Sequence, residues 1–182
     1  MSELFKNKYR IKSTRLEHWD YSSNGAYFVT ICTKNRINYL GKIINGKMEL
    51  SEIGGIVYFE WGNTEKIRTN VLIDEFIVMP NHIHGIVIIE NETVVETHCN
   101  ASLRGINTPI NKFGPQSNNL SAIVRGFKGA TTNKIHSVGF NNFAWQSRFY
   151  ERIIRNENEL NRTREYIINN PIKWEFDRNR FN

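Results

Sequence analysis

The sequence predicts an α+β fold built on a mainly antiparallel sheet. Three observations carry that reading. Short stretches dense in β-branched and aromatic residues recur along the chain. Two of them meet at a Pro80-Asn81 break too short for a crossover, so they must pair antiparallel. Later stretches carry apolar residues at helical spacing instead. The 182 residues suit one domain with its own core.

Residues 1–20 are polar and basic, with Lys6, Lys8, Arg10, Lys12 and Arg15 nearly alternating, and read as an extended arm before a single domain over 21–182. Tyr27 to Thr33 is a strong first strand, opened by the turn residues Ser23-Asn24-Gly25 and followed directly by Lys34-Asn35-Arg36. Asn45-Gly46, flanked by Gly41 to Ile44 and Lys47 to Leu50, predicts a tight two-residue hairpin. Ser51 can cap a helix bearing Ile53, Ile56, Val57 and Trp61, although Gly54-Gly55 costs such a helix about 1 kcal/mol per glycine. Val71 to Met79 is the next strand, and the stretch beginning at His82 is the one after it.

Residues 91–118 are polar, hold two prolines and show no hydrophobic period; they read as a long, mobile surface insertion, and His98 and Cys99 within it are assigned no metal role. Leu120, Ile123, Val124 and Phe127 follow the i, i+3, i+4, i+7 rule of an amphipathic helix whose other face carries Arg125, Lys128 and Lys134. Gln146 to Arg155 reads as the last strand, centred on Phe149 to Ile154. Asn156 and Glu159 then form a capping-box pattern for a helix from Glu157 to about Asn169, stopped by Pro171. Its buried stripe should hold Leu160, the stem of Arg164, Ile167 and Ile168, with Tyr166 on the flank. Without the hairpin, the order is β-α-β-β-α-β plus one C-terminal helix, the ferredoxin-like arrangement, in which the first and third strands are the central pair.

Composition narrows the function. No apolar run approaches the roughly 20 residues of a membrane span, and the N-terminus has no signal-peptide core, so a cytoplasmic protein is expected. Cys32 and Cys99 are the only cysteines and stand far apart, against a disulfide framework or a cysteine-based zinc site. The net charge of +6 is uneven: residues 1–38 carry 7 basic and 3 acidic side chains, residues 39–120 carry 6 and 9, and residues 121–182 carry 11 and 6. Cations concentrated at both ends suit a polyanionic partner.

The motif that focuses the reading is His82-Ile83-His84-Gly85. On a strand, residues i and i+2 share a face, so the two imidazoles stand side by side and can grip a divalent metal. Gly85 beside them is expected to leave room for a substrate. On the last helix Tyr166 and Asn170, four residues apart, lie on one side and can face a metal held by the sheet.

Met79 to Gly85, Trp145 to Glu151, Ile154 to Glu157 and Glu165 to Pro171 together resemble the single-tyrosine HUH transposases of the IS200-like type, and within them the REP-associated tyrosine transposases. Tyr27 to Thr30, Thr33 to Arg36, and Ser102-Leu103 or Leu120 to Lys128 match that branch as well, so the resemblance spans roughly residues 10–176. It implies that His82 and His84 bind Mg²⁺ or Mn²⁺, with Asn170 at the position of a further polar ligand that is often Gln. It also implies that Tyr166 attacks a phosphodiester of single-stranded DNA beside a hairpin, in a monomer or homodimer associated with the nucleoid. Lys34, Arg36, Arg125, Lys128, Arg148, Arg152 and Arg155 are the candidate DNA-binding cations. A non-cleaving binder of DNA or RNA hairpins is the alternative, since the same cations with Phe149 and Tyr150 suffice for phosphate contacts and base stacking. Hydrolysis by metal-bound water would need further His, Asp or Glu ligands, for which Asp74 and Glu75 are the nearest candidates in sequence.

Overall fold

The computed structural model describes Leu16 and residues 19–91 and 119–176. The N-terminal arm before Leu16, the body of the 91–118 insertion with His98 and Cys99, and residues 177–182 lie outside them. The elements are β1 (Gly25–Cys32), β2 (Gly41–Ile44), β3 (Lys47–Leu50), α1 (Glu52–Ile67), β4 (Val71–Met79), β5 (His82–Ile89), α2 (Leu120–Ser137), β6 (Tyr150–Ile154) and α3 (Glu157–Ile168). Four strands form one antiparallel sheet in the order β4-β5-β1-β6, and β2 pairs with β3 in a separate hairpin. This is the ferredoxin-like order, with the first and third strands of the sheet at its centre. No helix among the described residues is long and apolar enough to cross a membrane.

Strand alternation gives the sheet two different faces. Tyr27, Val29, Ile31, Ile83, Val87 and Ile153 look towards α1 and α2 and form the main core with Val57, Trp61, Ile123, Val124 and Phe127. The opposite face carries Phe28, Ile86 and Ile154, which pack on Ile167 of α3. Its continuation along β5 is His84 and then His82, so the sheet's second face is apolar under one end of α3 and polar towards the other.

Local signals explain most of the elements. Asn45 and Gly46 have φ of 51° and 72°, the paired left-handed values of a type I′ hairpin turn. Ser51 Oγ accepts from Gly54 N–H and starts α1. The two glycines of α1 differ in kind. A Cβ on Gly54 would lie 2.0 Å from the Leu40 carbonyl oxygen, so the helix can approach the chain there only without a side chain, whereas Gly55 faces open space.

Several expectations need correction. The first strand starts earlier and ends at Cys32; Thr33 instead makes an isolated bridge to Trp145. The last strand is confined to Tyr150–Ile154, because the Gln146 and Arg148 carbonyls accept from the Lys128 ammonium at 2.7 and 3.0 Å. Asn156 caps α3 by accepting from Glu159 N–H, but the Glu159 carboxylate takes the N–H of Arg155, not that of the cap residue. The buried stripe of α3 is narrower than predicted: Thr163 and Ile167 are its buried residues, and Ile168 is 57% exposed. Gly85 does not open space for a substrate. It faces the core, where a Cβ would come within 2.8 Å of the Trp61 ring.

The two α1 glycines should respond in opposite directions to alanine. Gly54→Ala forces Leu40 or the helix to shift and should destabilise by about 1–3 kcal/mol. Gly55→Ala meets nothing and should stabilise by up to about 1 kcal/mol through helix propensity. Urea unfolding midpoints of the two variants check this.

Candidate active site

The register of β5 against β1 places His84 opposite Thr30 and His82 opposite Cys32. His82 and His84 are 0% and 1% exposed, and their Nε2 atoms point at each other 3.0 Å apart. Each ring is held from behind. His82 Nδ1 lies 2.8 Å from Asn81 Oδ1, and the Asn81 amide is itself oriented because its Nδ2 donates to the Arg36 carbonyl. With an acceptor oxygen at Nδ1, neutral His82 carries its proton there and turns a bare Nε2 lone pair inwards. Burial, reinforced by the Arg36 charge, pushes the His82 pKa down to about 3 and keeps the ring neutral. His84 Nδ1 meets the Thr30 hydroxyl at 2.9 Å, and the Phe28 ring stacks on the imidazole at a centroid distance of 5.3 Å. Such partners behind each ring are the usual orienting groups of metal-ligating histidines.

Tyr166 completes the arrangement from α3. Its hydroxyl is 3.3 Å from His84 Nε2, its ring meets Phe28 edge-on, and the residue is 41% exposed. Residues 82 positions apart in sequence therefore meet within one chain. Asn170 lies beyond the end of α3, where its N–H donates to the Ile167 carbonyl. It is 3% exposed, and its Oδ1 is buried with no hydrogen-bond partner among the described residues. A buried amide oxygen without a donor carries a desolvation cost that a cation or a donor would remove. The two facing imidazole nitrogens, with this orphaned oxygen on the adjoining groove, are the groups that could hold a divalent metal with open positions for substrate oxygen. Among the described residues, no third His, Cys, Asp or Glu joins them. Asp74 is engaged elsewhere, in an ion pair with Arg164 at 2.7 Å.

An open groove of ≈ 620 Å³ adjoins Tyr166, lined by Phe28, Tyr150, Arg152, Arg162, Tyr166, Asn170, Lys173 and Phe176. Arg152 and Arg162 also line a second cavity of ≈ 380 Å³ that Arg155 shares. Of the predicted cations, Arg152 lines the groove and Arg155 only the second cavity. Lys34 and Arg36 occupy a turn beyond β1 in which Asn35 and Arg36 adopt left-handed φ of 55° and 54°. Arg36 lies close enough to depress His82, and Arg148 is exposed on the segment leading into β6. The structure does not bring Arg125 and Lys128 to the groove. Both belong to α2, in the layer behind the sheet, and the Lys128 ammonium is committed to the two carbonyls described above. Arg162 and Lys173 escaped the sequence reading. The helical position of Arg162, four residues before Tyr166, was the available signal.

The chain is 41% identical over 166 residues to an uncharacterized protein of Haemophilus influenzae, covering 91% of each. It belongs to the same family. Its structure resembles that of a REP-associated tyrosine transposase bound to a REP hairpin, with a TM-score of 0.59 and 20% identity, over 92% of this chain and 76% of that one. At that identity the likeness establishes a shared fold. No protein-family model matches the chain.

The buried neutral histidine makes a pH prediction. The unfolded chain protonates His82 near its ordinary value of about 6.5, whereas the folded protein resists until about 3. Between those values the unfolded state binds more protons, so stability should fall as pH drops, by up to about 1.4 kcal/mol per pH unit from this group. Urea midpoints of the metal-free protein, taken between about pH 6.5 and pH 5, should fall more steeply than those of His82→Gln. Parallel slopes would show that His82 is not held neutral by the fold.

Proposed function

We propose that the protein is a transposase-type DNA strand transferase, which cleaves and rejoins single-stranded DNA at hairpin-associated sites through a 5′-phosphotyrosine intermediate. The observation that carries this reading is the approach of the Tyr166 hydroxyl to 3.3 Å from His84 Nε2, itself 3.0 Å from His82 Nε2. The phenol stands beside the two facing imidazole nitrogens and is held there by the Phe28 ring. It lies at the surface end of the site, next to a groove lined by aromatic rings and arginines. The fold shared with a transposase whose structure holds a REP hairpin supports a DNA hairpin as the partner.

Each group has a task in that chemistry. His82, His84 and Asn170 would hold Mg²⁺ or Mn²⁺. The ion would supply positive charge opposite a non-bridging phosphate oxygen, where an anionic diester most resists attack. Asn81 and Thr30 hold the imidazoles so that their Nε2 atoms stay convergent. Phe28 packs against both His84 and Tyr166 and fixes their separation. Tyr166 is the nucleophile: its oxygen bonds to phosphorus, the bond from phosphorus to the 3′ oxygen breaks, and the phenolic proton is lost while the leaving oxygen is protonated. The product is a 5′-phosphotyrosine with a free 3′-hydroxyl. A phosphoester replaces a phosphoester, so a 3′-hydroxyl can reverse the step without ATP.

The cations serve the strand on either side of that phosphate. Arg152, Arg155, Arg162 and Lys173 surround the groove and its neighbouring cavity, and Phe28, Tyr150 and Phe176 offer ring faces to unpaired bases. Lys34, Arg36 and Arg148 stand at the His82 end of the sheet, suited to the phosphates of a hairpin stem.

A hairpin oligonucleotide with a single-stranded flank, incubated with the protein and Mn²⁺, should give a covalent adduct that survives denaturing electrophoresis. Tyr166→Phe should abolish it while leaving hairpin binding within about twofold, because a ring without its hydroxyl keeps its contacts but loses the nucleophile. An undiminished adduct in Tyr166→Phe would remove Tyr166 from this role. Salt-dependent binding with no adduct under any condition would favour the non-cleaving hairpin binder. Arg162→Ala should weaken binding to all hairpins alike and reduce the slope of log K against log salt by about 0.7–1.

A further inference from the structure

Two adjacent residues of α3 tie the helix to opposite edges of the sheet. Arg152 on β6 donates from Nη2 to Thr163 Oγ1 at 2.9 Å. Arg164 reaches the other way to β4 and grips Asp74, with Nη2 to Oδ2 at 2.7 Å and Nε to Oδ2 at 3.0 Å. β4 and β6 are the two edge strands of the sheet. Asp74 lies in the stretch between Ile73 and Phe76 where the register of β4 against β5 shifts, an irregularity of the kind that re-aims a side chain.

The other contacts of this helix with the sheet are mainly apolar, with Leu160 and Ile167 on the second-face cluster and Tyr166 against Phe28 and His84. Its buried residues are Thr163 and Ile167, set against Phe28, Ile86 and Ile154, while Tyr166 and Ile168 are 41% and 57% exposed. Apolar burial is non-directional and tolerates a turn of the helix about its axis. A forked guanidinium–carboxylate contact does not, because both donors must meet the carboxylate at once. Tyr166 follows Arg164 by two residues, so any rotation that loosens the fork also displaces the phenol.

We infer that Asp74 and Arg164 are a positioning pair that sets the rotation of α3 and so keeps the Tyr166 hydroxyl beside His84. The inference rests on the reading of Tyr166 as nucleophile. Neither member of the pair is among the residues lining the groove, so the pair acts through Tyr166 and not on DNA. The pair is partly buried, with the Arg164 and Asp74 side chains 36% and 18% exposed, and is one contact among many for global stability; direction is what it supplies.

The test is a double-mutant cycle of Asp74→Ala and Arg164→Ala in the full chain, read in two ways. Hydrogen exchange of the α3 amides should accelerate about tenfold in each single variant, and no further in the double, while α1 and α2 amides keep their rates. With saturating hairpin DNA and Mn²⁺, the rate of adduct formation should fall about ten- to a hundredfold in each single variant and no further in the double, with the Kd for the hairpin unchanged. Losses that add in the double variant, a loss expressed in Kd and not in rate, or unchanged α3 exchange would each overturn the inference. If the unaltered protein forms no adduct, the nucleophile reading fails, and the exchange cycle still decides whether the pair orients α3.

Discussion

The antiparallel pairing of β5 with β1 is the constraint on which the rest of this structure depends. It sets Thr30 beside His84 and Cys32 beside His82, and alternation then sends Ile83, Gly85 and Val87 into the core. A slip of one residue would bury both imidazoles against the α1 layer and turn Ile83 outwards. Trp61 guards against that slip. Its indole occupies the space where any side chain at position 85 would lie, so only glycine fits there and only in this register. The candidate active site is thus determined from behind, by a packing contact on the face of the sheet that carries no chemistry.

A second consequence is the separation of dry and wet parts. The imidazole pair is removed from water and braced by Asn81 and Thr30, which holds both rings in direction, and burial keeps His82 neutral. Burial strengthens the interaction of such a pair with any charge placed between the rings, because little solvent remains to screen it. The arginines and aromatic rings stay outside, along the groove beyond Tyr166, where flexible charged side chains can follow a polyanion. Tyr166 stands at the boundary, half in contact with His84 and half in solvent. The left-handed turn at Asn35-Arg36 belongs to the same boundary: it carries the Arg36 carbonyl to Asn81 and the Arg36 charge towards His82.

The fold shared with a REP-associated tyrosine transposase does not by itself assign a reaction, since one fold hosts many. What the chain itself adds is that the Tyr166 hydroxyl, the paired histidines and a groove lined by arginines adjoin one another. Here α3 lies over its own sheet, and its tyrosine meets its own chain's histidines.

Much of this was legible in the sequence. Strand and helix periods, the Asn45-Gly46 turn, the Ser51 cap and the short Pro80-Asn81 link are local properties, written in neighbouring residues, and from them the element order and the ferredoxin-like pairing follow. So does the shared face of His82 and His84, which strand geometry alone dictates. What the sequence could not show is which way space is filled between elements. Gly85 reads as an opening for substrate until Trp61 is seen in its place, and Arg125 and Lys128 read as cations of the site until α2 is seen behind the sheet. Arg164 reads as an aliphatic stem in a buried stripe until Asp74 is found in reach. These depend on contacts between residues distant in the chain, whose distances no local pattern encodes. The sequence by itself determined the elements, their order and the residue types the chemistry needs; the tertiary structure alone decided that Tyr166 reaches His84, because helix rotation and sheet face are set by packing from both sides at once.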